Sequence, residues 1–208
     1  MRRRAILSVF ALAIFLVGSW TVQSASQAAG NGTPGKAYFA GGCFWSMVLA
    51  FVMVEGVLSV TSGFMGGTVA NPSYEEVSAG RTGHAESVEV VYDPARVSYQ
   101  KLLDAFWHNI DPITPNAQFC DYGNEYRTAI FFQTDEEKRL SEASKLAIEH
   151  SKRFKESIVT QIVMASQFYP AEEYHQDFYK KNPLRYKLYR SACGRDRRLQ
   201  ELWGTSGE

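Results

Sequence analysis

Cys43 lies in the run Gly41-Gly42-Cys43-Phe44-Trp45, between two glycines and two aromatic residues. Glycines let the backbone turn sharply and approach a ligand closely. A helix that begins at Phe44 would place its positive N-terminus at Cys43, which lowers the pKa of a thiol and makes it a nucleophile. These residues therefore predict chemistry at an apolar sulfur or carbon centre. From this run alone, a buried structural cysteine after a strand is the alternative interpretation.

Three turn-rich stretches, at 71–74, 82–86 and 120–127, carry further polar side chains that are able to take part in a reaction. Taken singly, each is ordinary. A glutamate at a strand start, such as Glu86, is usually solvated, and a tyrosine after Asn-Pro-Ser, such as Tyr74, usually packs against a turn. Functional residues often lie on loops that a rigid scaffold brings together, so these stretches are candidates to meet Cys43.

Length and composition bound what such a site can belong to. The chain has 208 residues, enough for one domain with a real core, and it carries 22 basic and 22 acidic residues. A balanced charge argues against nucleic acid as the main partner. We therefore expect a globular protein that acts on a small molecule or on another protein.

The first 29 residues are set apart from the fold as a secretory signal. Residues 1–4 are basic, residues 5–20 form an almost unbroken apolar run, and residues 21–29 are small and polar. A cut after Ser26 or Ala28 fits the small-residue rule, and an uncleaved membrane anchor is the lesser alternative. We expect residues 30–208 to form an exported domain, periplasmic or extracellular. Its three cysteines would meet an oxidising compartment, where at least one thiol stays unpaired or cycles.

The mature part alternates between strand and helix patterns. Strands are predicted at 36–40, 56–61 and 86–92, with a last central strand at 158–164. Helices are predicted from Phe44, after a Ser98 cap, and after Thr134, the last with capping-box spacing to Glu137 and an end near Phe154. The segment after Pro170 is expected to be irregular. The pattern predicts an α+β fold, a mixed sheet with helices packed on it.

Six motifs, taken in order, carry a family resemblance over about residues 37–204. The chain resembles the A-type peptide methionine sulfoxide reductases, which implies a single α+β domain, a two-layer sandwich. The motifs are Gly41-Gly-Cys-Phe-Trp45, Ser62-Gly-Phe-Met-Gly-Gly67, Asn71-Pro-Ser-Tyr74, Thr82-Gly-His-Ala-Glu86, Asp121-Tyr-Gly-Asn-Glu-Tyr126-Arg and Pro170-Ala-Glu-Glu-Tyr-His-Gln176.

The resemblance implies a role for each motif residue. Cys43 takes the position of the nucleophile that attacks the sulfoxide sulfur, which yields methionine and a sulfenic acid. Glu86 matches the acid that protonates the oxygen, and burial near other acidic groups would keep its carboxyl protonated. Tyr74 and Tyr126 match hydroxyl donors to that oxygen, because a phenol donates without carrying charge. Asp121 matches a residue that organises the same pocket.

The resemblance also implies the substrate pocket and the recycling path. Phe44 and Trp45 match an apolar wall that receives the methyl group and admits only the S epimer of methionine sulfoxide, free or in proteins. Cys193 matches the resolving thiol, on a flexible tail that reaches Cys43, and a thioredoxin-like protein then reduces the disulfide. Cys120, next to Asp121, is the competing resolving thiol or a reduced spectator. We expect a monomer that needs no cofactor or metal.

Three departures from the family pattern keep other functions open. Val48 stands where a glutamate is usual, Glu125 where a glutamine is usual, and Phe64 where a tyrosine is usual. A weakened relative that acts as an envelope binding protein is one alternative. A hydrolase that pairs Cys43 with His84 or His175 is another, and it would need no reductant.

Overall fold

The computed structural model describes residues 32–204. The domain contains strands and helices, with two 3₁₀ turns at Asn124–Tyr126 and Glu173–His175. The elements are β1 (Gly35–Gly41), α1 (Phe44–Val52), β2 (Val57–Met65), α2 (Tyr74–Ser78), β3 (Ala85–Tyr92), α3 (Tyr99–Trp107), β4 (Ala117–Gln118), β5 (Asp121–Tyr122), β6 (Thr128–Phe132), α4 (Asp135–His150), β7 (Gln161–Met164), β8 (Tyr169–Pro170), α5 (Phe178–Lys181), α6 (Pro183–Ala192) and α7 (Arg195–Trp203).

A six-stranded sheet forms the centre of the domain, with the strand order β7-β6-β1-β3-β2-β8. Strand β1 pairs antiparallel with both β3 and β6, whereas β7 runs parallel to β6. The sheet is therefore mixed, which confirms the predicted α+β class.

Helices cover one face of this sheet through aromatic packing. Phe39 of β1 stacks on Phe51 of α1 at 4.9 Å and on Phe106 of α3 at 5.2 Å between ring centroids. All three rings are fully buried, and burying a phenylalanine stabilises a fold by about 1.5–3 kcal/mol. This layer fixes α1, and therefore the turn before it, against the sheet.

The predicted helix caps are confirmed, but one helix ends earlier than expected. Ser98 accepts a hydrogen bond from the Lys101 amide at 3.2 Å, and Thr134 accepts one from the Glu137 amide at 3.2 Å. Helix α4 ends at His150, four residues before Phe154. The reason is local, because Lys152 adopts a left-handed backbone conformation with φ +56° that a helix does not continue through.

Two expectations about the second half of the chain are wrong. The strand expected to be the last one, β7, begins at Gln161 and is followed by the short strand β8. Strand β7 lies at the edge of the sheet instead of its centre, and its Met164 is 72% exposed. The segment after Pro170 is not irregular, because it contains α5, α6 and α7. Pro183 occupies the first turn of α6, and Gly194 separates α6 from α7 with φ +64°.

The predicted signal segment, residues 1–29, lies outside the described residues. Within residues 32–204, no helix is both long enough and apolar enough to cross a membrane.

Candidate active site

Cys43 lies at the turn between β1 and α1. Gly42 has φ +76°, and a Cβ added to it would lie 2.4 Å from the Gln118 Cβ, so glycine alone fits there. Cys43 is the N-cap residue of α1, and its carbonyl accepts from the Ser46 amide at 3.1 Å. The predicted helix start is confirmed. The Cys43 thiol is free and the residue is only 7% exposed.

Glu86 is joined to the start of the same helix. It is the second residue of β3, it is 2% exposed, and its Oε2 accepts from the Phe44 amide at 2.9 Å. Burial raises the pKa of Glu86 to about 8, and the negative charges of Asp121 and Glu125 add to this, while the Phe44 hydrogen bond opposes it. Glu86 is therefore largely protonated at neutral pH, as predicted for an acid.

The pKa of the Cys43 thiol is raised, which corrects the expectation of a lowered value. Burial is the main cause and the negative charge of Glu86 is the second, whereas the neighbouring Tyr189 hydroxyl acts to lower the pKa. A helix N-terminus carries only about half a unit charge, and here it does not offset the loss of hydration. Cys43 therefore keeps its proton until the reaction removes it.

Tyr74 and Tyr126 face the same two groups from different elements. Tyr74 begins α2, and burial followed by the charges of Glu86 and Cys43 raises its pKa to about 12. Tyr126 ends a 3₁₀ turn, and burial followed by the charge of Glu86 raises its pKa above the usual range. Both hydroxyls remain neutral donors at physiological pH. The structure thus brings both predicted tyrosines to the side of Cys43 and Glu86.

Aromatic side chains form an apolar wall beside the thiol. Phe44 is buried, and Trp45 stacks on Phe178 of α5 at 3.7 Å between ring centroids. The Trp45 Nε1 donates to His175 Nδ1 at 3.1 Å, and the His175 ring lies 4.3 Å from the Tyr74 ring. His175 therefore connects the predicted wall to one of the predicted hydroxyl donors, whereas the sequence analysis considered it only as a possible partner of Cys43 in a hydrolase.

The site contains two further residues that sequence analysis missed. The hydroxyl of Tyr189, on α6, donates a hydrogen bond to Asp121 Oδ2 and lies close enough to the Cys43 thiol to affect the pKa of that thiol. Arg195 is 2% exposed, and its Nη2 donates to the Asn109 carbonyl at 2.6 Å. Burial lowers the Arg195 pKa to about 10, so it stays charged. A helical signal was present in the sequence, because aromatic, basic and cysteine residues recur at helical spacing at positions 186, 189, 190 and 193.

Cys120 and Cys193 form a disulfide whose Cα atoms are 4.9 Å apart. Cys193 follows the last residue of α6, and Cys120 immediately precedes Asp121. The interpretation of Cys120 as a reduced spectator is therefore wrong, and Cys193 is paired here with Cys120 instead of Cys43. These two cysteines and Asp121 are the one group among residues 32–204 whose atoms are spaced for a metal ion. Their sulfurs bond to each other, which leaves only the carboxylate to coordinate.

Comparison with known proteins identifies the family of this chain. Residues 35–206 match the sequence model of the family described as peptide methionine sulfoxide reductase. The chain belongs to this family. It is therefore an A-type methionine sulfoxide reductase, an oxidoreductase that uses thiols to reduce methionine sulfoxide.

Similar A-type reductases occur in several bacteria. The peptide methionine sulfoxide reductase MsrA of Halalkalibacterium halodurans is 51% identical over 169 residues, which cover 81% of this chain and 96% of the relative. The MsrA of Bacillus licheniformis is 50% identical over 168 residues, covering 81% of this chain and 93% of the relative.

Solved structures of methionine sulfoxide reductases share the fold. Methionine sulfoxide reductase A of Corynebacterium diphtheriae matches with a TM-score of 0.68 and 33% identity, over 74% of this chain and 78% of that one. Reduced Mxr1 of Saccharomyces cerevisiae matches with a TM-score of 0.66 and 30% identity, over 73% of this chain and 87% of that one.

The contacts of the two histidines agree with a methionine sulfoxide reductase better than with a hydrolase. His84 uses both ring nitrogens on a loop, where Nδ1 accepts from the Gly67 amide at 3.0 Å and Nε2 donates to the Val69 carbonyl at 2.8 Å. His175 is engaged by Trp45. A Cys-His hydrolase needs an imidazole hydrogen bonded to the nucleophile, but His84 bonds elsewhere through both ring nitrogens, and the Nε2 of His175 has no hydrogen-bond partner within the described part of the chain.

The three departures from the family pattern are all accommodated inside the domain. Val48 and Phe64 belong to the main hydrophobic core, and Phe64 lies 5.9 Å from the Phe44 ring. Glu125 is 7% exposed, and its charge helps to raise the pKa of Glu86. A carboxylate at position 125 therefore favours the protonated acid instead of opposing it.

Proposed function

We propose that the chain reduces the S epimer of methionine sulfoxide, free or in proteins, with Cys43 as nucleophile and Glu86 as acid. The observation that carries this proposal is the hydrogen bond from the Phe44 amide to Glu86 Oε2 at 2.9 Å. It holds a protonated carboxyl next to the residue that bears the thiol. A proton donor beside a buried nucleophile is what the release of a sulfoxide oxygen requires.

The first half-reaction oxidises Cys43 by two electrons. Its sulfur attacks the sulfoxide sulfur, Glu86 protonates the oxygen, and the hydroxyls of Tyr74 and Tyr126 donate to that oxygen as its negative charge grows. The oxygen then passes to Cys43 as a sulfenic acid and the sulfoxide becomes methionine. The raised pKa values of both tyrosines support this role, because a phenol that stays neutral remains a donor.

The aromatic wall supports selection of the S epimer. A sulfoxide sulfur carries an oxygen, a methyl group and the rest of the side chain, and the two epimers differ in how these point. If the oxygen faces Glu86 and the methyl group packs against Phe44 and Trp45, only one of the two epimers directs the rest of the methionine toward solvent. Trp45 is held in place by Phe178 and His175, so the wall is rigid.

The second half-reaction moves the oxidation from the buried thiol to the surface. The Cys193 thiol attacks the sulfenic acid and releases water, which gives a disulfide between Cys43 and Cys193. Cys120 then attacks Cys193, which frees the Cys43 thiol and leaves the disulfide between Cys120 and Cys193. Cys43 is buried whereas Cys120 is exposed. A thioredoxin-like dithiol protein could therefore reduce the final disulfide without entering the pocket.

Turnover of the separate S and R epimers tests this proposal. With dithiothreitol as reductant, the protein is expected to convert the S epimer of a peptide methionine sulfoxide to methionine and to leave the R epimer unchanged. Chromatographic measurement of methionine checks both. Consumption of both epimers at similar rates would refute the assignment of Phe44 and Trp45 as the wall that selects the S epimer. No turnover of either by folded protein would favour the envelope binding protein.

We also propose that the chain is exported and that its signal segment is removed by a cut after Ser26 or Ala28. The support is the order of basic, apolar and small residues at the N-terminus. After expression of the full chain in a Gram-negative bacterium, N-terminal sequencing of the periplasmic protein is expected to begin at Gln27 or Ala29. Protein that retains Met1 in the membrane fraction would indicate an anchor instead, and protein that retains Met1 in the cytoplasm would contradict export.

A further inference from the structure

Tyr189 stands between the nucleophile and a carboxylate. Its hydroxyl donates a hydrogen bond to Asp121 Oδ2, and it lies close enough to the Cys43 thiol to affect the pKa of that thiol. The ring meets Trp45 edge-on at 5.8 Å between centroids, which fixes the direction of the hydroxyl. Three elements therefore converge on one hydroxyl: the start of α1, strand β5 and helix α6.

The chemistry of these three groups sets the direction of each hydrogen bond. An ionised carboxylate only accepts, so the phenol donates its single hydrogen to Asp121, and its oxygen is then left to accept from the Cys43 thiol. Burial raises the pKa of Asp121 above its ordinary value, whereas the hydrogen bond from Tyr189 and the charge of Arg195 act to lower it. In this arrangement the phenol lies between the S–H group and the carboxylate.

We propose that Tyr189 carries the proton of the Cys43 thiol to the Asp121 carboxylate as Cys43 attacks the sulfoxide. This inference rests on the proposed function of Cys43 and adds a residue and a route to it. The thiol proton moves to the Tyr189 oxygen while the phenol proton moves to Asp121. Tyr189 is neutral before and after, so no phenolate has to form in the buried site.

A separate proton acceptor is needed because Glu86 has the opposite task. Glu86 must keep its proton for the sulfoxide oxygen, and it lies next to the helix start that bears Cys43. Asp121 receives the thiol proton on the other side, so donor and acceptor do not exchange roles. The other titratable or charged groups that face this path are Glu86 on β3, Tyr74 on α2, Glu125 and Tyr126 in the 3₁₀ turn, and Arg195 at the start of α7.

The step balances in protons and electrons. Asp121 gains one proton as Glu86 loses one, and two electrons pass from Cys43 to the sulfoxide sulfur as the sulfenic acid and methionine form. The bond between the two sulfurs forms during the attack and breaks when the oxygen moves to Cys43. After methionine leaves, Asp121 returns its proton to solvent and Glu86 takes one from it.

The test measures the first turnover of the full protein in mixtures of H₂O and D₂O. In Tyr189→Phe, the burst of methionine is expected to slow by about tenfold or more, less than after loss of the acid because water can replace the relay. The solvent isotope effect and the curvature of its dependence on deuterium fraction should both fall, because two protons of the relay no longer move with the attack. Tyr186→Phe is the matched control, because it removes a hydroxyl from the same helix. Among residues 32–204 this hydroxyl hydrogen bonds only to Arg190, so its loss should leave the burst unchanged.

A second variant keeps the proposal open to refutation if the tyrosine substitution disturbs folding. Asp121→Asn removes the acceptor and keeps the phenol, and it should change the isotope effect in the same way. The double variant should be no slower than the slower single variant, since both break one path. A burst that matches wild type in Tyr189→Phe, or one that slows with an unchanged isotope effect, would overturn the relay. Absence of a burst in the wild-type protein would instead refute the proposed function.

Discussion

Replacing Cys43 with serine is expected to lower the production of methionine by at least about a thousandfold, because the nucleophile itself is lost. A serine hydroxyl is far less acidic than a thiol, and its oxygen does not form a sulfenic acid. The substitution is nearly isosteric in a buried position, so the fold is retained. The measurement is methionine formed from the S epimer, both in one turnover and with dithiothreitol. Methionine formation by this variant at a comparable rate would refute the assignment of Cys43.

The other two cysteines provide the matched controls, since each should fail at a later step. Cys193→Ser is expected to form one methionine per protein molecule and then to stop with a dithiol protein as reductant. Cys120→Ser is expected to accumulate the disulfide between Cys43 and Cys193, which peptide mass spectrometry after thiol alkylation detects. If Cys120→Ser turns over as wild type does and accumulates no such disulfide, Cys120 takes no part in recycling.

Replacing Glu86 with glutamine is expected to slow the first turnover by about a hundredfold to ten-thousandfold, the range for loss of an acid. The amide oxygen still accepts from the Phe44 amide, so the helix start is preserved. In wild type, the rate should fall as the pH rises through about 8, where Glu86 loses its proton. The variant should lack this fall. Glu89→Gln is the control on the same strand, because Glu89 bonds to Lys36 and Tyr38, away from the thiol.

Folding stability provides an independent check on the same carboxyl. The pKa of Glu86 is about 8 in the folded state against an ordinary value of 4.5, so the folded protein binds one proton more between these values. Its contribution to the free energy of unfolding is therefore fully present below about pH 4.5 and is lost as the pH rises to about 8. In urea unfolding at pH 5 and pH 8, Glu86→Gln should lose less stability than wild type. An equal loss would show that Glu86 is not the group responsible.

Local signals predicted the first half of the domain well. The caps at Ser98 and Thr134 and the helix start at Phe44 depend on residues within one turn of the helix, and all three were found where expected. The position of β7 was not predictable in this way. Its place at the sheet edge depends on pairing with β6, about 30 residues earlier in the chain, and periodicity within one strand does not encode its neighbours.

The site residues on α6 and α7 were missed for a similar reason. Tyr189 and Arg195 reach the pocket only because α6 and α7 fold back onto the sheet, and Arg195 contacts the Gly41 carbonyl across 154 residues of sequence. The resemblance to a known family identified Cys43, Glu86 and Asp121 but attached no role to either of these two. The pairing of Cys120 with Cys193 likewise follows from where α6 ends, which the sequence pattern did not predict.

The hydrogen bond between Glu86 and the Phe44 amide also bears on how the site tolerates substitution. The donor is a main-chain group, so any residue at position 44 except proline supplies it. The spacing between acid and thiol is therefore independent of the aromatic side chain that shapes the pocket. Sequence drift at position 44 can change which sulfoxides fit without disturbing the proton donor, so specificity and acid catalysis can evolve separately at the same residue.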